Sequence, residues 1–394
     1  MSHSDSQPRA MPTAHLPRAE EFLLWPPCLQ SYGYRIVDQL FATRTVQRSA
    51  ARLALPRGRE CALQFESPAA SSVAAMMDQN NVAGLIAVVH GEVVLERYGL
   101  GLAEGDRWST MSTVKSITAL LVGAAIQQGA IRSLDEHIVT YLPAMRGTAY
   151  AEVTVRHLLN MSSGVAWREE YTDLDSHVNR YSRSLANKVP GGVLQLMTSI
   201  SPGRPPGTYW NYNTGDTYLL GALITAATGQ RLADFMAERI WQPAGMEFDA
   251  FYTLESVGGQ EIAGSRAGMC LRDIARLGLL VLNDGQAGGQ RLLPEGWIDA
   301  VASPAFSILG MANASGTEKL GVTHYGLGWW LDNDGGMWAL GHCGQCIYVN
   351  RRERITVVQL AVYPEPPYER TDDPDREANL LGYIAALRRQ NRSA

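Results

Sequence analysis

The chain has 394 residues, 46% of them hydrophobic, and a net charge of −5. That composition suits a soluble globular protein with a sizeable core, and the lack of a basic surplus argues against a nucleic-acid binder. Five cysteines, an odd number on a long chain, do not read as a secreted disulfide framework.

The first residues, MSHSDSQPRAMPTAHLPRAEEF, contain no apolar signal-peptide core. The longest largely apolar run, Ile117 to Ile126, is far short of the about 20 residues of a membrane span. A cytoplasmic monomer or homodimer is expected, with neither membrane nor nucleic acid as partner. From Trp25 to Leu55 aromatics are scattered without a clean period, so residues 1–70 read as an extension packed on the main domain. Val82 to Tyr98 sets two β-branched runs on either side of His90-Gly91, which is a hairpin pattern. Directly afterwards Met111, Val114, Ile117, Leu120, Leu121, Ala124 and Ala125 follow helical three-four spacing. Gly129 is placed to stop that helix.

Thr154 can cap a short helix ending at Leu159. Poor periodicity from Trp167 to Tyr181 predicts a long functional loop. Helices are predicted at about Tyr218–Ala227, Leu232–Trp241, Asp273–Leu282 and Leu293–Val301. Strands are predicted at Tyr325–Leu331, Gly336–Leu340, Cys346–Asn350 and Ile355–Val362, followed by an amphipathic helix, Asp375–Arg389. This order gives an α+β fold, an antiparallel sheet flanked by helices with a mostly helical inserted subdomain. The expected division is 71–150 with 261–394 for the sheet domain, and 151–260 for the insertion.

Chemistry enters at Ser112 and Lys115, spaced S-x-x-K at the start of the first long helix. Residues three apart share a helix face, and a serine becomes nucleophilic when an adjacent base takes its proton. Only three lysines occur in the chain, which makes the spacing less casual. To serve as base, a lysine of ordinary pKa ~10.4 must be made neutral at a cost of ~4–5 kcal/mol, and burial and nearby positive potential push that way. The plain alternative is a capping serine and a surface lysine. Cys343-Gly344-Gln345-Cys346 forms a C-x-x-C, but no second ligand pair accompanies it, and both cysteines read as small strand residues. No nucleotide-binding glycine motif or G-x-S-x-G elbow is present. No cofactor and no metal are expected.

Five segments together resemble the serine β-lactamase and penicillin-binding-protein superfamily, in its class C and esterase-type branch. They are Ser112–Lys115 (STVK), Leu158–Gly164 (LLNMSSG), Pro206–Tyr212 (PGTYWNY), Arg272–Gly278 (RDIARLG) and Gly341–Gln345 (GHCGQ). The run Trp167–Asp173 further resembles the group that cleaves linear 6-aminohexanoate amides. The resemblance implies a β-lactamase-like fold and an acyl-enzyme at Ser112, with Lys115 and Tyr212 as acid/base. It implies that His342, Gly344 and Gln345 lie on a sheet edge facing Ser112, with glycine letting substrate approach and a backbone N–H near Gln345 completing an oxyanion hole with that of Ser112. It makes Tyr171 a substrate contact, though taken alone Tyr171 is as well explained by loop packing and His342 by a satisfied edge histidine. Thr214 departs from the family pattern, which has asparagine there, and this weakens β-lactam binding. The expected substrate is a small linear amide or carboxylic ester. A β-lactamase or D-peptidase, and a non-catalytic binding or sensor module of the same fold, are the alternatives.

Overall fold

The expected hairpin is present: β1 (Val82–Val89) turns through His90 and Gly91, at φ 50° and 88°, into β2 (Glu92–Tyr98). The structure, a computed structural model, describes residues 16–60, 70, 72–314, 316–366, 368 and 375–393. Residues 1–15 and Cys61 lie outside the described residues.

The hairpin forms one side of the main sheet. The other strands come late in the chain: β3 (Phe306–Ser307), β4 (Val322–Gly326), β5 (Trp329–Asp332), β6 (Gly336–Gly341), β7 (Gln345–Asn350) and β8 (Ile355–Ala361). The eight strands are ordered β2-β1-β8-β7-β6-β5-β4-β3, all antiparallel. Late β8 thus closes on early β1, with Val357 opposite Ala87. All seven residues of β8 are buried, as in a strand covered on both faces.

The helices cover this sheet and carry the middle of the chain. α1 (Thr113–Gln127) is buried along nearly its whole length, and Gly129 follows it at φ 79°. α2 is His177–Ala186, α3 is Thr214–Thr228, α4 is Leu271–Leu282 and α5 is Arg376–Ser393. α1 is sandwiched between α3 and the strands β6 and β7, while α4 packs on β8, β7 and β1. Thr154 caps the short helix Val155–Leu159 in a capping box with His157. A second, small sheet joins Thr43–Val46, Ala250–Thr253, Ala267–Met269 and Trp108–Ser109 in that order. It ties the N-terminal extension to the strand that leads into α1.

Several boundaries differ from the sequence expectation. The segment Tyr325–Leu331 is not one strand, because Leu327 and Gly328 turn at φ 38° and 86° between β4 and β5. A Cβ on Gly328 would sit 2.8 Å from that of Ala119, so the turn presses directly on α1. α2 begins inside the run read as loop. Ser176 caps it, and Val178, Tyr181 and Leu185 form a short buried stripe too brief to stand out among polar neighbours. α3 starts four residues earlier than expected, at Thr214, because Asn213 accepts a hydrogen bond from Asp216 N–H and caps it. Pro294 and Gly296 delay the next helix to Trp297–Val301, and Leu232–Trp241 is α-helical only to Met236 before passing into a π-turn.

Candidate active site

Met111 adopts φ 47° between Trp108–Ser109 and α1. That left-handed turn, strained for a branchless but bulky side chain, sets Ser112 at the first position before the helix. Ser112 makes no capping bond. Its Oγ instead accepts from Lys115 Nζ at 2.9 Å, one helical turn along. Lys115 is 2% exposed, so the surface-lysine alternative does not describe it. Its Nζ also donates to the Gly264 carbonyl. Burial pulls its pKa down to about 8, opposed by the negative charge of Glu169.

Tyr212 completes the cluster. Its ring centre lies 4.9 Å from Lys115 Nζ, and the Ser112 side chain is near enough to favour the ionised phenol. The ring stacks on Trp330 at 5.4 Å and meets Trp210 at 6.2 Å. Such contacts each contribute about 0.5–1.5 kcal/mol beyond area burial and hold the phenol in one orientation. Burial, with help from Glu169, raises the phenol's pKa, so it is a neutral donor and acceptor at ordinary pH. The three residues taken from sequence as the reacting group are therefore brought together.

Glu169 escaped the sequence reading. It is 8% exposed and accepts from the Trp167 indole, the Thr214 hydroxyl, the Thr214 N–H at 3.1 Å and the Tyr171 hydroxyl at 3.2 Å. One carboxylate thus joins the loop after the LLNMSSG segment to the first turn of α3, immediately behind Tyr212. The adjacent Glu170 is exposed, and nothing in the pair Glu169-Glu170 tells which of the two turns inward. Gly264, whose carbonyl receives Lys115, had no signal either.

The Gly341–Gln345 segment needs correction. β6 and β7 are interior strands, so His342, Cys343 and Gly344 form the turn at the tip of a central hairpin, not a sheet edge. The positive φ of Cys343 (62°) and Gly344 (87°) makes that turn. Gly344 is required there by the ring of Tyr363, which a Cβ would meet at 2.7 Å. The Gln345 side chain is a strut: Nε2 donates to the carbonyls of His342, Cys343 and Ala361, and Oε1 accepts from Trp108 Nε1 at 2.9 Å. His342 does face the site. Its ring lies 4.7 Å from that of Tyr171, and both line a narrow cleft with Ser112, Met111, Thr214 and Arg266. Burial favours neutral His342, but the neighbouring Cys343, the Leu23 carbonyl and Glu169 outweigh it and raise its pKa. Leu23 also lines the cleft, so the N-terminal extension forms part of its wall.

Cys270, Cys343 and Cys346 are buried free thiols, and Cys28 is exposed. Among the described residues no cluster of three or more His, Cys, Asp or Glu is placed to hold a metal ion, and no helix is long and apolar enough to cross a membrane.

A family model described as Beta-lactamase matches residues 69–381. Over 282 residues the chain is 27% identical to the 6-aminohexanoate-dimer hydrolase of Paenarthrobacter ureafaciens, an alignment spanning 70% of this chain and 71% of that protein. It is 28% identical over 219 residues to esterase EstB of Burkholderia gladioli, covering 47% of this chain and 53% of that one. A solved Bacillus anthracis structure, provisionally named a 6-aminohexanoate-dimer hydrolase, superposes with a TM-score of 0.83 at 21% identity, over 97% of this chain and 98% of that one. The last likeness concerns the fold: antiparallel sheet and helices are arranged in the same way.

Proposed function

The chain belongs to the Beta-lactamase family, and from that premise we propose that it is a serine hydrolase of small linear amides or carboxylic esters, with Ser112 as nucleophile. The observation that carries the reading is the 2.9 Å contact between Ser112 Oγ and the amine of a lysine only 2% exposed. A lysine of pKa about 8 is neutral in a useful fraction of molecules near neutral pH, and it is within reach of the proton it must take.

In the proposed cycle neutral Lys115 receives the Ser112 proton, with Tyr212 as the second member of the relay. Ser112 Oγ attacks the substrate carbonyl, and the tetrahedral oxyanion is held by backbone N–H groups, that of Ser112 and one from the Gln345 turn. Tyr212 passes the proton to the departing amine or alcohol. Water, activated by the same pair, then cleaves the acyl-enzyme and restores Ser112. Tyr171 and His342 contact substrate from the opposite wall. We also retain the division into a sheet domain and a helical subdomain, residues 151–260, which here supplies Glu169 and Tyr212.

The name of the Paenarthrobacter relative supports a linear amide, and that of the Burkholderia relative an ester. Thr214 argues against a β-lactam, because its hydroxyl is already engaged by Glu169. The test is one panel with wild type and Ser112→Ala: p-nitrophenyl butyrate, the linear 6-aminohexanoate dimer, a D-amino-acid amide and nitrocefin. The ester or the linear dimer should be turned over, nitrocefin poorly, and Ser112→Ala should lower kcat by more than about 10³-fold. An unchanged rate in the variant sinks the serine mechanism.

A further inference from the structure

Arg266 is a fully buried cation left incomplete. It is 1% exposed, and among the described residues no carboxylate forms an ion pair with it. Its Nη2 donates to Ser182 Oγ at 2.7 Å. Among the same residues its Nε and Nη1 have no hydrogen-bond partner. The rings of Phe22 and Phe41 hold the guanidinium at 4.2 and 4.7 Å, fixing its plane without satisfying those donors. Burial lowers its pKa only to about 10, with Tyr181 and Tyr34 opposing the fall, so it stays charged at neutral pH.

This cation lines the same cleft as Ser112. The cleft is lined by His342 as well and, among the described residues, by no aspartate or glutamate. The nearby Glu169 is saturated by Trp167, Tyr171 and Thr214. Burying a guanidinium with two idle nitrogens is costly. A planar carboxylate pairing with Nη1 or with Nε, alongside Nη2, relieves part of that cost.

We propose that Arg266 is a specificity-determining residue that receives an anionic group of the substrate, so that the preferred substrates are small amides or esters bearing a free carboxylate. This rests on the hydrolase reading at Ser112 and sharpens it: a neutral acyl chain leaves the arginine unpaired, and a substrate presenting an ammonium there is repelled.

Two matched ester pairs test it, one for each side of the scissile bond. The first is the p-nitrophenyl half-ester of adipic acid against its methyl ester. The second is 4-acetoxybenzoate against methyl 4-acetoxybenzoate. In wild type kcat/KM should favour the anion by about tenfold or more in at least one pair, and Arg266→Met should bring that ratio near one. Arg266→Lys should restore part of the preference, which a purely structural role would not do. Adipate, and not adipamide, should raise the wild-type melting temperature, a measurement that needs no variant to fold. Ratios near one in both pairs together with no adipate shift overturn the proposal. Undiminished hydrolysis of all four esters by Ser112→Ala would instead bring down the hydrolase reading, while an adipate shift lost in Arg266→Met would keep the anion site.

Discussion

At the scale of single residues, the site depends on how one amine is kept near neutrality. Lys115 is pushed down by burial and pulled up by Glu169. In the proposed cycle the neutral amine is the base, so kcat/KM should rise with pH along a limb centred at about 8. Removing the opposing charge should move that limb to lower pH, so Glu169→Gln should be relatively more active under mildly acidic conditions. The same change leaves one of the donors Trp167, Tyr171 or Thr214 facing an amide N–H₂, at a cost of about 1–3 kcal/mol. A pH–rate profile and a urea melt check both, and a limb that stays in place would mean that Glu169 does not act on Lys115. The stability sign follows from the depressed pKa. Between about 8 and the ordinary 10.5 the folded protein binds fewer protons than the unfolded chain, so stability attributable to Lys115 grows as pH rises through that window.

At the scale of elements, the proposed catalytic group is set by turns as much as by helices. The LLNMSSG segment ends in Gly164 at φ 78°, and its carbonyl accepts from Gly203 and Arg204 N–H at 2.9 and 2.7 Å. A Cβ there would lie 2.1 Å from the Arg204 carbonyl oxygen. The crossing aligns the loop before Trp167 with the chain that leads to Tyr212. Gly164→Ala should therefore destabilise the fold by about 2 kcal/mol or more, seen as a lower urea midpoint. An unchanged midpoint would show that the crossing can open without loss. α3 makes the same point from its other end. Asn213 and Tyr150 donate to the buried Asp216 at 2.8 and 2.9 Å, a polar knot that starts the helix two residues after Tyr212.

At the scale of the whole molecule, the N-terminal extension is part of the site. Phe22 is completely buried, touches Trp25, Tyr34 and Phe41, and covers Arg266. Tyr34 meets Trp108 edge-on at 5.6 Å, just before Ser112. Gln30 reaches Cys343 at 3.3 Å in the turn that carries His342. Phe22→Ala should cost about 3–5 kcal/mol and also lower kcat/KM at temperatures where the variant remains folded, by loosening the wall of the cleft. Thermal melting and ester kinetics on the same sample separate the two effects. Full activity in the folded variant would reduce the extension to a mere cover.

Local chemistry in the chain was enough to identify the hairpin at His90-Gly91, the helix that opens after Ser112, the cap at Thr154 and the late meander, because each rests on neighbours within a few residues. The Ser112–Lys115 pair was legible for the same reason: one helical turn brings it together. Tyr212 was readable only through its resemblance to a family pattern, since no local rule links it to a serine a hundred positions earlier. Tertiary structure alone decided the rest. It turned Glu169 inward and left Glu170 in solvent, brought the Gly264 carbonyl to Lys115, made His342 the tip of an interior hairpin, and buried Arg266 between two rings of the N-terminal extension. The physical reason is that a side chain's pairing and desolvation depend on elements distant in sequence, and these are what set its charge, its partners and its access to substrate.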